Sequence, residues 1–398
     1  MQKQLSDRIN NMQESATLKM AALGRELRAK GHNVISLSLG EPDFDTPEYI
    51  KEAAKVALDK GYTKYTPVPG LPELRQAISD KFKRENNLDY GINQIVVSNG
   101  AKQAIANLSL SLLNPGDEAI IFAPYWVSYY EIIRLSGAKP VIVSADIDQD
   151  YKVTASQLAE AITDKTKIVL FSSPCNPTGS VYSRAELESI AAVVAQNDKI
   201  IIISDEIYEY INFGDHHDSI GAIESVKDRV VTINGFSKGY AMTGWRLGYM
   251  GAPEWIAKGC IKMQGQFTSG ANAFGQKAAV EAIRGDQTPT QEMRAAFRKR
   301  RDLVIKLLRE IPGFKVNVPT GAFYIFPDIS YYFGKSDGET TIQNADDFAT
   351  FLLNNVYVAV VSGSAFGADR CMRISYAASE EELREAISRI KEAVSKLK

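Results

Sequence analysis

The sequence predicts a large α/β domain followed by a smaller α+β domain, and three observations carry that prediction. Between about residues 94 and 252, apolar β-branched runs alternate with helix-like segments. The runs are nearly continuous rather than alternating in and out, as a sheet covered on both faces requires. After a long charged amphipathic stretch the patterns then become shorter and mixed. At 398 residues the chain also exceeds what one hydrophobic core usually supports, so two domains are expected.

Taken in order, the strand candidates are QIVVSNG, EAIIFAP, KPVIVSA, TKIVLFSSP, KIIIISDE, RVVTINGF and RLGYMGA. Helix signals lie between and after them. Ser183 with Glu186 fits a capping box opening LESIAAVVAQ, and Ser379 with Glu382 fits one opening the carboxyl-terminal helix. Gln291 to Ile311 reads as one long helix, followed by the short runs FYIFPDI, YVAVVSG and CMRISYA. The polar stretch from Tyr332 to Ala345 reads as a surface loop, and no internal repeat or low-complexity segment is apparent.

Composition removes several function classes. A formal charge of -2 provides no field for a nucleic-acid backbone or an anionic membrane, and the basic run RKRR, Arg298 to Arg301, reads as a solvated helix face. Cys175, Cys260 and Cys371 are odd in number and widely spaced, which suits free thiols in a reducing compartment. The amino terminus has no apolar signal-like region, and no run approaches the roughly 20 apolar residues of a bilayer span, so a cytoplasmic protein is expected. Only His32, His216 and His217 occur, the last two in a polar DHHD stretch, which argues against a metal site or a Ser-His-Asp triad. Proton transfer then falls to lysine, tyrosine or a carboxylate.

In an open, mainly parallel sheet, ligands sit beyond the carboxyl ends of the strands. SNGAK, Ser98 to Lys102, places glycine at a strand-to-helix junction, where free N–H groups could hold a phosphate or the glycine could serve only steric needs. Trp126 in APYWVSYY either stacks on a ring or packs against the domain surface. Asn176 in SSPCNPTGS either binds a ligand or satisfies its turn, and Asp205 before Tyr208 either binds a ligand or caps a helix. Lys238 lies alone among small residues in FSKGYAMTGWR. Together these ends would converge an amine, a carboxylate, a phenol, an amide, an indole and a phosphate-type loop. That set suits a flat, anionic, phosphorylated cofactor that forms a Schiff base, and pyridoxal 5'-phosphate fits each of these groups.

From SATLKM through GEPDFDTP, KYTPVPGLPELR, SNGAKQA, PYWVSY, NPTG, SDEIY, SKGYAMTGWRLGY and RISYA, the chain resembles the fold-type I pyridoxal-phosphate aminotransferases, most of all the bacterial aspartate aminotransferases. The resemblance implies a large domain with a mainly parallel seven-stranded sheet, residues 47–290. It further implies a small domain of residues 15–46 with 291–398, which rotates over the substrate, and an arm of residues 1–14. Lys238 would carry the cofactor and shuttle the α-proton, and Asp205 would pair with the ring nitrogen. Tyr208 and Asn176 would bind the ring hydroxyl oxygen, while Trp126 stacks on the ring. Gly100, Ala101, Ser237 and Arg246 would hold the phosphate, joined by Tyr65 from the partner subunit of a homodimer. Arg373, with Asn176 and the Gly40 backbone, would clamp the α-carboxylate. Lys102 would take the distal carboxylate of the substrate, with Ser15 and Thr17 closing over it.

The implied reaction is a reversible ping-pong transfer of the amino group from L-aspartate to 2-oxoglutarate, giving oxaloacetate and L-glutamate. An aminotransferase for neutral or aromatic amino acids, or a β-lyase, would keep Lys238, Asp205 and Arg373, so Lys102 discriminates among these readings. Some members of the resembled family that also use prephenate carry a lysine where this chain has Gln13, so the resemblance does not imply that activity here. A transcription regulator built on this fold needs a DNA-binding domain, and the roughly forty residues before GEPDFDTP are expected to be too few for a winged helix and linker. A nicotinamide dehydrogenase needs GxGxxG after its first strand, which is absent.

Overall fold

In the computed structural model, which describes residues 4–398, a short strand β1 (Ile35–Ser36) precedes seven strands that occupy the seven predicted runs. These are β2 (Ile95–Ser98), β3 (Glu118–Ala123), β4 (Lys139–Ser144), β5 (Thr166–Ser172), β6 (Ile201–Asp205), β7 (Val230–Gly235) and β8 (Gly248–Gly251). They form one sheet in the order β2-β8-β7-β6-β5-β3-β4. Only β8 runs against its neighbours; the other pairings are parallel. Because β8 is antiparallel to both β2 and β7, those two point the same way. The carboxyl ends of β2, β3, β5, β6 and β7 therefore share one edge.

The continuous apolar runs follow from burial on both faces. Alternate residues divide between two cores: Ala119, Ile121, Ile168, Leu170, Ile201 and Ile203 pack on one side, while Ile120, Phe122, Val169, Phe171, Ile200 and Ile202 pack on the other. Each buried aliphatic side chain contributes about 1.5–3 kcal/mol, so a one-residue slip of register, which leaves both faces apolar, is resisted by shape rather than polarity. The exception is β4 at the sheet edge, where Lys139 and Ser144 are exposed.

A second assembly joins distant parts of the chain. β1 pairs in parallel with β10 (Val358–Ala359), and β11 (Val361–Ser362), β12 (Met372–Ser375) and β9 (Tyr324–Ile325) form a separate antiparallel sheet. Ile35 and Leu37 share one core with Phe297, Phe348, Ile374 and Ile390. Both capping boxes form, with Ser183 and Ser379 accepting from the Glu186 and Glu382 amides.

Two expectations need correction. The long helix spans Thr288–Arg309, but RKRR is not a uniformly solvated face. Arg300 pairs with Asp43 at 2.6 Å and lies over Phe44, and Arg301 lies over Phe213, leaving Arg298 and Lys299 exposed. The run spans more than a helical turn, so its last two residues rotate back to the protein surface. The Tyr332 to Ala345 stretch is irregular, yet Tyr332 and Ile342 are buried and pin it down. Among the described residues no helix is long and apolar enough to cross a membrane.

Candidate active site

At the shared carboxyl edge of the sheet lies a cavity of about 410 Å³. Asp205 ends β6 there and is buried. Its carboxylate accepts from the Tyr129 hydroxyl at 2.6 Å and from the Ile207 amide at 3.2 Å. Burial raises its pKa to about 6, against the pull of those hydrogen bonds and of Lys238. The local turn therefore does use the Asp205 carboxylate, but the second oxygen takes its bond from across the sheet.

Lys238 follows β7 and lines the same cavity. Burial lowers its pKa to about 8, with Arg373 and Arg246 adding to the fall and Glu41 opposing it. Its ammonium donates to the Gly40 carbonyl and lies 5.9 Å from the centroids of Tyr208 and Phe323. The neighbouring Glu41 accepts from Thr243, so the Gly40–Glu41 segment is held at two points across the cavity.

Arg373 on β12 is 2% exposed. Nη1 donates to Asn176 Oδ1 at 2.9 Å, Nη2 to the Ser38 carbonyl at 2.5 Å, and Nε finds no partner. The guanidinium lies 4.6 Å and 4.9 Å from the rings of Tyr324 and Phe366. Among the described residues no carboxylate neutralises it, an expensive arrangement for a buried cation unless an anion arrives from outside. Tyr208 shares a 2.7 Å hydrogen bond with the Tyr324 hydroxyl, and burial pushes its pKa well above the ordinary phenol range.

The end of β2 builds a cradle for an anion. Helix Ala101–Leu112 is capped by Gly100, whose carbonyl accepts from the Gln103 amide at 3.0 Å, while the Ala101 and Lys102 amides have no acceptor within the helix. Gly100 has φ +82°, and a Cβ there would meet Arg246 Nη2 at 2.5 Å; one on Gly248 would meet the Ala101 amide nitrogen at 2.3 Å. Both glycines are required for this close approach. Arg246 donates to the Thr243 carbonyl at 2.9 Å, and Ser237 lines the cavity beside it.

Trp126 is half-buried, edge-on to Tyr129 with centroids 5.5 Å apart, and presents its ring to the cavity. The Lys102 ammonium lies 4.9 Å from the Trp126 centroid; desolvation and then Arg246 lower its pKa. Ser15 and Thr17, at the start of helix Ala16–Ala29, border the same opening. Of the predicted set, Gly100 and Tyr65 do not line the cavity. Gly100 sits beneath Arg246, where a Cβ would collide with the guanidinium, and Tyr65 is 99% exposed. Gln13 is exposed and also lies off the cavity.

Tyr129 and Tyr324 escaped the sequence reading. Tyr129 lies three residues after Trp126, a helical spacing that could have flagged it, whereas Tyr324 arrives from a distant strand without any local signal. The DHHD stretch also divides: the His217 ring bonds Glu206 with its side chain 8% exposed, while His216 stays exposed. Glu206, Glu209 and His217 place three ligand atoms within 4.8 Å of one another, but the Lys81 ammonium is already bonded to Glu209.

At the edge of the seven-stranded sheet, a lysine of lowered pKa, a buried acid and an anion cradle face, across one cavity, a buried arginine from the smaller sheet that no carboxylate among the described residues neutralises, an arrangement suited to small anionic ligands. The Aminotransferase class I and II family matches residues 32–390, and the chain belongs to it. The chain is 47% identical over 401 residues to a bifunctional aspartate aminotransferase and glutamate/aspartate-prephenate aminotransferase of Petunia hybrida, covering 99% of this chain and 83% of that one. It is 47% identical over 392 residues to an aspartate aminotransferase of Bacillus sp. (strain YM-2), covering 98% and 99%. The crystal structure of an aspartate aminotransferase from Rhizobium meliloti superimposes with a TM-score of 0.96 at 41% identity, covering 99% of each chain.

Proposed function

We propose that the chain is an aspartate aminotransferase that uses pyridoxal phosphate, moving the amino group of L-aspartate to 2-oxoglutarate to form oxaloacetate and L-glutamate. The observation that carries the reading is the convergence of Lys238, Asp205 and an unneutralised Arg373 on one cavity. The residues fit the cofactor: Asp205 would hold the proton of the ring nitrogen, and Tyr208 and Asn176 the ring hydroxyl oxygen. Trp126 would cover one ring face. Gly100, Ala101, Ser237 and Arg246 would hold the phosphate, where the two glycines admit a close approach. When bound, pyridoxal phosphate supplies an aldehyde and a ring that withdraws electrons from the substrate α-carbon.

This chain's own residues do the rest. Lys238, whose pKa burial brings down to about 8, takes the α-proton in its unprotonated form and returns it on the other side of the exchange. Arg373 binds the α-carboxylate through its fork, so the bond to be broken is oriented before the proton moves. Lys102 binds the distal carboxylate at the cavity mouth, with Ser15 and Thr17 beside it. The Gly40–Glu41 segment limits access of water.

The same reading divides the chain into an arm at 1–14, a small domain of 15–46 with 291–398, and a large domain of 47–290. Residues 1–3 of the arm lie outside the described residues. Rotation of the small domain would carry Arg373 and Gly40 over the substrate. Tyr65, exposed in one chain, would reach the phosphate of a partner subunit in a homodimer. Three free, buried cysteines suit a cytoplasmic setting.

The test is the single half-reaction. The purified protein is loaded with pyridoxal phosphate, its visible band is recorded, and L-aspartate is added without an oxo acid. The band is expected to convert to near-ultraviolet absorption. Lys102→Ala should lower kcat/KM for aspartate by about ten- to a hundredfold and leave alanine unchanged, since a charged hydrogen bond contributes roughly 1.5–3 kcal/mol. Conversion by alanine or an aromatic amino acid but not by aspartate would overturn the substrate assignment.

A further inference from the structure

The turn that follows β6 has two faces. Asp205 and Tyr208 line the cavity, while Glu206 and Glu209, also three apart, turn to the opposite side and do not. Glu206 is bound from behind by His217 Nε2 at 2.9 Å and by the hydroxyls of Ser204, at 2.9 Å, and Ser219. Glu209 is bound by the Lys81 ammonium and by Asn86 Nδ2 at 2.7 Å, and Lys81 also donates to Asn86 Oδ1 at 2.7 Å. The side chains of Glu206, Glu209 and Lys81 are 1%, 4% and 1% exposed and that of His217 is 8% exposed.

Burying so many ionisable groups offers no stability that an apolar cluster would lack. What a bonded network can supply is a fixed orientation for the turn and a set charge beside Asp205. Two carboxylates and one ammonium leave one negative charge, which an imidazolium at His217 would balance. The ring's Nδ1 is buried and has no hydrogen-bond partner among the described residues, and two further charged groups border the network. Glu85 lies 3.8 Å from Lys81 and accepts from Tyr210, and Arg294 borders the rear cavity and donates to the Gly214 carbonyl.

We propose that His217 is a positioning residue for the reaction: its imidazolium, bonded to Glu206, balances the carboxylate directly behind Asp205 and holds the turn that aims Asp205 and Tyr208 into the cavity. Burial disfavours the charged ring and Lys81 opposes it, but Glu206 and Glu209 outweigh both, so the net shift is upward. Glu206 raises the Asp205 pKa, a push that an uncharged residue 217 would leave unopposed. The inference rests on the reading in which Asp205 meets the cofactor ring, and its test has one arm that does not.

The first arm uses cofactor-free protein. Three histidines make the ring-proton NMR spectrum assignable by single substitutions. His217 should titrate above the ordinary imidazole value of 6.5, and Glu206→Gln should lower its midpoint. A midpoint at or below 6.5 would overturn the proposal. The second arm follows the pH titration of the visible band in loaded protein. His217→Gln keeps a donor for Glu206 without the charge, and the midpoint should rise by roughly half a pH unit. Glu206→Gln should move it down, and the double variant should return it close to the wild-type value. A purely structural role would lower Tm in all three and leave the midpoint in place, which also overturns the proposal. If His217→Gln does not accumulate folded, Glu206→Gln carries the second arm, and an unmoved midpoint there has the same consequence. A wild-type protein that forms no visible band refutes the cofactor reading and with it the role toward Asp205, while the first arm still reports the charge of His217.

Discussion

Replacing Arg373 by methionine separates binding from stability at one position. The guanidinium is 2% exposed, spends two donors on Asn176 and Ser38, leaves Nε without a partner and faces no carboxylate among the described residues. If it clamps the substrate α-carboxylate through two charge-assisted bonds at roughly 1.5–3 kcal/mol each, the loss is about 3–6 kcal/mol, or about a hundred- to ten-thousandfold in kcat/KM. Stability should move differently. Burial disfavours the cation and lowers its pKa, and methionine fills similar volume against Tyr324 and Phe366 without a charge to desolvate. The Tm of the cofactor-free variant should therefore match or exceed that of the wild type. The assays are the single-turnover half-reaction with L-aspartate and a thermal melt without cofactor. A fall in kcat/KM below tenfold would refute the clamp. A Tm loss of many degrees would show that Arg373 is a structural cation instead.

Three further outcomes follow from the same geometry. Lys238 has its pKa lowered from 10.5 to about 8, so the folded state binds its proton less well than the unfolded chain. That cost, at most about 3 kcal/mol because the side chain keeps some surface open, is present below pH 8 and disappears as pH rises toward 10.5. Lys238→Met should therefore stabilise cofactor-free protein at pH 7, with the Tm difference closing by pH 10.5, and should show no turnover when loaded; a pH-independent difference would contradict the burial account. Gly100→Ala places a Cβ 2.5 Å from Arg246 Nη2 at φ +82°, and should cost about 1–3 kcal/mol in stability and weaken cofactor retention in a dialysis assay. Unchanged retention would remove the cradle. Mixing Tyr65→Ala and Lys238→Ala protomers should restore about a quarter of wild-type activity, since half of randomly assorted dimers then hold one intact site; no recovery in a mixture shown to exchange subunits would place Tyr65 outside the partner's site.

Much of the site was legible because its residues follow strand ends. Asp205, Lys238 and the SNGAK glycine each terminate an apolar run, and a parallel sheet brings such termini to one edge whatever their separation in the chain. The surroundings of His217 were not legible for a related reason. Its DHHD surroundings are polar, and burial there depends on partners at Glu206 and Glu209 that no local pattern reveals. The RKRR run was likewise read from charge alone, although Arg300 meets Asp43 and Phe44, and Arg301 meets Phe213, across long separations in the chain.

By itself the sequence determined the strands, the capped helices and the chemistry at the strand ends, because periodicity, caps and turn residues act over a few residues. The three-dimensional fold alone decided that β1 joins β10 and that Tyr324 meets Tyr208. It also decided that Arg373 is buried without a counter-charge among the described residues and that a second polar network backs Asp205. These depend on contacts between segments far apart in the chain, and their energetics, the desolvation of charge above all, exist only once the surrounding layers have closed.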